Sequence, residues 1–348
     1  DRPLQAAPES KGRGLGVFYV SRETFKAVAA INETVSDATI DRLLDSKSRG
    51  VERDLKRHFY PIIQTRYYDW PAQFGLSSSR LYLNADLLSV SSIIVAASGT
   101  GAARTTLTGY FLEPVNYATA GQPQSPYSRI EIDLSTTGAF ESGKTTQRSI
   151  EVAGTWGFNN DTTPAGTLAA TITAAATSCN ASNSSLVDVG NLLLIGTERL
   201  LVTEKALLTV GTTLNGALTA DLAVVAVVVS DGTKVLVGEY ITVDSERMFV
   251  ESITGNTLTV RRAVQGSVLA SHLTAITVYA PRTLTVVRAY AGTTAAAHTS
   301  ADAMTKTVPP QLISDLVLAE ALSTYYQEKS GYARTVGQGE SIMMASGS

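Results

Sequence analysis

Residues 138–145 read GAFESGKT, with Gly138, Gly143, Lys144 and Thr145 at every fixed position of the phosphate-cradling loop G-x-x-x-x-G-K-[ST]. That chemistry needs a helix opening at the lysine, so that its free amides and its dipole face the phosphates. The residues that follow, TQRSIEVAG, instead alternate Ile150 and Val152 with polar residues, which is the pattern of a strand. No downstream apolar strand ends in a magnesium-binding carboxylate. The segment is read as a Gly-Ser hairpin loop, with a nucleotide hydrolase kept as an alternative. A second glycine cluster, GRGLG at 12–16, has no preceding strand and reads as linker.

The three histidines, His58, His272 and His298, lack a second ligand three or four residues away. A polar contact inside a repeated unit is the better reading for His272 and His298. With so few histidines and no nucleophile-elbow glycines, a Ser/His/Asp set cannot be assembled. Cys179 is the sole cysteine, so no internal disulfide exists, and it reads as a small apolar side chain. Trp70 and Trp156 read as core or interface aromatics. No catalytic, cofactor or metal residue is assigned, and the chain is not read as an enzyme.

Which elements could position any of these groups? Of 348 residues, 44% are hydrophobic and only 17% charged, with abundant Thr, Ala, Ser and Val, which favours strands with hydroxyl-bearing faces. Lys+Arg total 28 against 31 Asp+Glu, for a net charge of −3. No long basic run exists, so tight binding to nucleic acid is not the expected task. The longest apolar run, 222–229, is far short of the roughly 20 residues of a membrane helix, and the first residues lack an apolar signal core. A soluble protein made in a reducing cytoplasm is expected, with no membrane partner.

Helices are expected over 21–30, over 36–58 with Ser36 as cap, and from Pro309–Pro310 to Gly331. Ile40, Leu43, Leu44, Val51 and Leu55, followed by Phe59, mark one buried stripe, and Leu312, Leu316 and Tyr325 mark another. Between them the period drops to two, giving strands at 62–69, 80–84, 90–96, 105–112, 128–134 and 148–154.

The hairpin around GTER (196–199) is then written again around DSER (244–247). Leu193, Ile195, Leu200 and Val202 fall on Ile241, Val243, Met248 and Val250, all apolar and in phase. Leu208–Val210 aligns with Leu258–Val260, and Gly216 with Gly266. A third, partial copy sets TLTVRRAVQG (257–266) against TLTVVRAYAG (283–292), with His272 on His298. Two and a half copies of one β-module, packed side by side, are expected in 186–304.

With 159–307 set aside, a helix pair leads to RHFYP (57–61), TRYYDWP (65–71), RLYL (80–83), GYFLEPVN (109–116), RIEIDL (129–134), IEVAGTWGF (150–158) and PPQLISDLVLAEALSTYY (309–326). This order resembles the head-tail connector, or adaptor, family of tailed bacteriophages. The resemblance implies an α+β fold: a helical connector core with antiparallel strands and a C-terminal helix, here carrying an inserted all-β domain of duplicated hairpins. The domains become an arm (1–18), the core (19–158), the insertion (159–307), the completing helix (308–330) and a tail (331–348). The resemblance further implies a ring of copies of this chain, typically twelvefold, at the neck of the virion. Its partners are the portal protein, a head-closure (stopper) or tail protein, and double-stranded DNA in transit without sequence-specific binding. The tail, with Tyr332, Arg334, Ile342, Met343 and Met344, is expected to touch the portal. The alternative is a virion protein whose inserted domain binds capsid, fibre or a cell-surface glycan.

Overall fold

Apolar periodicity fixes three helices in the computed structural model, which describes residues 15–70, 79–98, 103–115, 126–329, 335–338 and 341–344. Helix α1 spans Arg22–Val28, and the Ser21 hydroxyl accepts the Thr24 amide at its start. Helix α2 spans Asp37–Leu55. Ser36 does not cap it. Its hydroxyl donates to the Glu33 carboxylate instead, which also accepts the Val35 amide. The helix stops three residues earlier than expected because Lys56 turns left-handed. Helix α3 spans Gln311–Lys329 and packs along α2. Ile40, Leu43, Leu44, Val51 and Phe59 meet Ile313, Val317 and Tyr325 in one core, although 255 residues separate the two helices in the chain. The Tyr325 ring meets Phe25 edge-on at 5.5 Å. Arg22 ties α1 to α2 through Asp37 and Asp41.

Three expected core residues are not in that core. Leu55 is 46% exposed and Leu312 78%, and Leu316 also faces outward. The buried face of α3 runs through Ile313, Val317, Ala321 and Tyr325, so Leu312 and Leu316 sit one position round from it. Leu55 is the last residue of α2, and its side chain faces away from the core. The segment expected to trail as an arm also packs in part: Val17 and Phe18 are buried in the same core.

Beyond α2 the chain is strands. Strands β1 (Ile62–Tyr68), β2 (Arg80–Val95), β3 (Thr105–Thr106), β4 (Tyr110–Glu113), β5 (Tyr127–Ile132) and β6 (Ile150–Trp156) form an antiparallel sheet ordered β1-β6-β2-β5-β4, with β3 on β2. The two runs expected at 80–84 and 90–96 are one strand, β2, whose register shifts carry it past a change of partner. Trp156, Ile150 and Val152 fill the buried face.

The second sheet holds β7 (Thr162–Thr167), β8 (Ser178–Asn180), β9 (Leu192–Ile195), β10 (Glu198–Thr213), β11 (Ala226–Val228), β12 (Tyr240–Val243), β13 (Glu246–Thr254), β14 (Thr257–Arg261), β15 (Thr277–Val287) and β16 (Ala303–Thr307). Strands β17 (Thr335–Gln338) and β18 (Ser341–Met344) pair with each other. With two large antiparallel sheets against three α-helices among the described residues, the fold is mostly β. The α+β expectation built on a helical connector core is overturned: the helix pair covers one side of a chain whose β-branched, hydroxyl-rich sequence has gone overwhelmingly into strands.

The pairing registers correct the repeat as well. Ser252, Ile253 and Thr254 face Thr259, Leu258 and Thr257 across the β13–β14 hairpin, and Glu204, Lys205 and Ala206 face Thr285, Leu284 and Thr283 across β10–β15 in the same relation. Thr257–Thr259 on β11 likewise matches Thr283–Thr285 on β8. There are therefore two complete copies, and one lies inside the other. The outer module is 162–206 with 283–307. The inner module, 208–281, emerges where the outer module's own hairpin turn would be, and β10 and β15 run through both. Leu208–Val210 thus opens the inner module, and the partner of Leu258–Val260 is Leu284–Val286. Gly266 pairs with Gly292, not Gly216; both take positive φ at matching turns. The expected partial third copy is the outer module's returning half.

Each module has its own core. Leu193, Ile195, Leu200 and Val202 fill the outer one with Cys179, Leu284 and Met304. Ile241, Val243, Met248 and Val250 fill the inner one with Val227, Leu258 and Val278. The outer module's two ends meet at the helical body, where the Val308 amide donates to the Asp161 carbonyl at 2.9 Å. The insertion is not a detached lobe: Val189, Leu192 and Leu201 of the outer module belong to the same core as α2 and α3.

Candidate functional site

The GAFESGKT segment forms no helix. It is a turn that runs into β6. The Ser98 hydroxyl, three residues beyond β2, donates to the Thr145 carbonyl at 2.6 Å, and the Lys144 amide donates to the Ser98 carbonyl at 3.3 Å. Gly143 has φ +57, and a Cβ there would press on the Ala96 and Ser98 carbonyls. The glycine is needed for close strand packing.

The most concentrated polar chemistry lies in the modules, and it occurs twice. Glu198 begins β10, and its carboxylate takes the Arg288 guanidinium edge-on, with Nε donating to Oε1 at 2.7 Å and Nη2 to Oε2 at 2.8 Å. The Ala289 and Ala296 amides donate to it at 3.1 and 3.0 Å, and His298 Nε2 lies 2.8 Å from Oε2. Glu246 begins β13 and repeats the set with Arg262 (2.9 and 2.7 Å), the Ala263 and Ala270 amides (both 3.1 Å) and His272 Nε2 (2.9 Å). In each set the arginine also donates to loop carbonyls, Thr173 and Ala296 in one and Thr219 and Ala270 in the other. Ala263 and Ala289, the residues after the arginines, take the same left-handed φ of 53°.

Burial works against both charged carboxylates, but the donors outweigh it. For Glu198, Arg288 foremost, then the Ala296 amide and His298, hold the group down at about 2. Glu246 is likewise held below the usual carboxylate range against burial, by Arg262 and then His272. Every carboxylate oxygen is occupied and both glutamates are fully buried, so neither can reach a substrate. A third buried carboxylate, Glu239, joins the modules. It takes Arg282 at 2.6 Å, from the crossing between them, and the Ser184 amide and hydroxyl at 2.8 Å, from the outer module.

These arrangements give a pH dependence. A depressed carboxylate contributes stability in full above its unfolded value near 4.5 and loses it as pH falls toward the folded value. Guanidinium-unfolding midpoints should be flat above about pH 5 and fall between roughly pH 4.5 and 2. Glu198→Gln should start lower and show a shallower acid slope.

The structure thus uses His272 and His298 as contacts within the modules, as the sequence suggested. His58 is half-exposed beside Glu52. Among the described residues no cluster of His, Cys, Asp and Glu fits a metal ion, and no helix is long and apolar enough to cross a membrane. Sequence reasoning missed Glu198, Glu246, Arg262 and Arg288 as partners, although a signal was present. Both Glu-Arg turns and both Arg-Ala pairs recur in register with the histidines.

Three of the exposed large apolar side chains lie on α3. Its second face carries Leu312, Leu316, Ala319 and Tyr326 at heptad spacing, all exposed. The helix is therefore apolar on two sides, whereas α2 shows solvent a polar face. Of the tail residues expected at a portal contact, Tyr332 and Arg334 lie outside the described residues. Ile342, Met343 and Met344 lie in β18, paired with Gly337, Val336 and Thr335. No family model, curated protein or solved structure matches this chain.

Proposed function

We propose that this chain is a structural virion protein: a mostly-β head-tail connector subunit of a tailed bacteriophage, assembling into a ring that joins the portal to the neck and continues the DNA channel. The observation that carries the reading is the second apolar face of α3. One face closes the subunit's own core. The other, Leu312–Leu316–Ala319–Tyr326, is a stripe of the kind buried when helices meet. A neighbouring copy is the natural cover, since a ring repeats one contact around its axis. The order of segments supports the same reading, because α3 rejoins α2 across the whole insertion. The mildly acidic balance suits a wall past which DNA slides without being held.

Electron microscopy and mass photometry of the purified protein, alone and with portal, test this. Closed rings, about twelvefold, that seat on the portal are expected. Leu316→Asp should reduce them to single subunits without unfolding them. A chain that stays monomeric at tens of micromolar and ignores the portal would sink the proposal.

A further inference from the structure

The two modules present the same outer face to very different surroundings. In the outer module, Val189, Leu192 and Leu201 on that face are buried. Beside them Gly190, at φ +82, lies flat under the Phe18 ring, where a Cβ would collide with it, and its carbonyl accepts the Phe18 amide at 2.9 Å. A segment of the chain outside any helix or strand, Val17–Tyr19, is thereby docked on the module through one aromatic ring and one backbone hydrogen bond.

The inner module keeps the glycine and its backbone hydrogen bond. Gly238 stands where Gly190 does, with φ +86, and its amide donates to the Val250 carbonyl as that of Gly190 donates to Val202. Val237, Tyr240 and Phe249 replace Val189, Leu192 and Leu201. Here no ring covers the glycine: the nearest atoms to a Cβ at Gly238 are those of Ser185, at 3.5 Å or more. Val237 is 55% exposed. Gly238, Tyr240 and Phe249 face a cleft of about 830 Å³, closed on the far side by Glu23 and Ala27 of α1. That volume lies within the range of ligand sites. The cleft begins where the buried interface of the outer module ends, since α1 lines both. Tyr240 and Phe249 contact each other at 5.1 Å, and the Arg261 guanidinium lies over Phe249 at 4.7 Å. The leucines of the dry copy have become aromatic residues that carry a polar edge or a cation, as suits a face that meets water between encounters.

We propose that this cleft is a peptide-binding site, taking an extended segment of a partner polypeptide whose aromatic side chain lies on Gly238 beside the Tyr240–Phe249 pair, as Phe18 lies on Gly190. The glycine carbonyl receives the segment's backbone amide. The inference holds whatever assembly the chain serves, because it rests on the equivalence of the two modules.

The protein supplies its own probe. A fluorescent peptide LGVFYVS, residues 15–21, is added to the full chain, whose outer site is already filled. Saturable binding is expected in the range of roughly 10 µM to 1 mM. It should weaken at least about tenfold when the peptide's phenylalanine is replaced by alanine, and equally in a Tyr240→Ala/Phe249→Ala protein. A benzophenone at the peptide's phenylalanine position should cross-link to 237–249, which needs no protein variant. Absence of binding to about 1 mM, or cross-linking to 189–201 by exchange with the resident segment, would overturn the proposal.

Discussion

A chain in which residues 207–282 are replaced by Gly-Asn will fold, with the helix pair, the first sheet and the outer module intact. Ala206 and Thr283 already face each other as a paired position, and their counterparts Thr254 and Thr257 are joined by Gly255 and Asn256 alone. Gly255 takes φ +60, which explains a glycine there and predicts that the same two residues close the outer hairpin. The outer core, from Ala165 to Met304, contains no residue of the inner module. What the shortened chain loses is the Glu239–Arg282 clamp and the inner module's contacts on the α1–α2 loop, where the Asn32 side chain accepts the Gln265 amide at 2.7 Å. A change in stability of the remainder below about 2 kcal/mol is expected, since these links are few and polar. The measurement is a cooperative thermal transition with the near-ultraviolet signal of Trp156 preserved. A molten or insoluble product would show that the two modules are one cooperative body.

Arg288→Ala will damage the protein far more widely than Arg262→Ala, although the two arginines have matching surroundings. Each change strands a buried glutamate with its strongest donor gone, at about 3–5 kcal/mol. The difference lies in what depends on each module. The outer module holds both ends of the inner one and gives Val189, Leu192 and Leu201 to the helical core. Hydrogen exchange should therefore rise across both modules and at the α2–α3 contact in Arg288→Ala. In Arg262→Ala the rise should centre on β11–β14, with a smaller one in β7–β9, because an opened inner module leaves a long loop that costs the outer one roughly 3 kcal/mol of closure entropy. Equal exchange patterns in the two variants would contradict this hierarchy.

Much of this was legible in the sequence. The stripes of α2 and α3 and most strands follow from periodicity, and the pairing of Leu193–Val202 with Ile241–Val250 was visible because side-chain phase and turn residues recur together. The registers of Leu208–Val210 and Gly216 were misread for a physical reason. A three-residue Leu-Thr-Val strand satisfies period two wherever it falls, so a local match cannot say which half of a split module it belongs to. The Glu198 and Glu246 sites were half-visible. Their histidines were matched, but an acid in a turn reads as solvated until its partners arrive from a distant strand. The weight given to helices came from segment order, which says nothing about how much β-structure surrounds them. Periodicity points Leu312 and Leu316 at the core because a helix apolar on two faces does not reveal, in sequence, which face packs within its own chain.

The nesting also sets an order of events at the ribosome. The inner module is the part of the insertion made of one continuous stretch, so it can close while the rest is still being synthesised. The outer module must wait for Thr283 onward, and α2, which emerges before both modules, waits for Lys329. The chain matures from its middle outward, and the greasy face of α2, made before the modules, is covered after them.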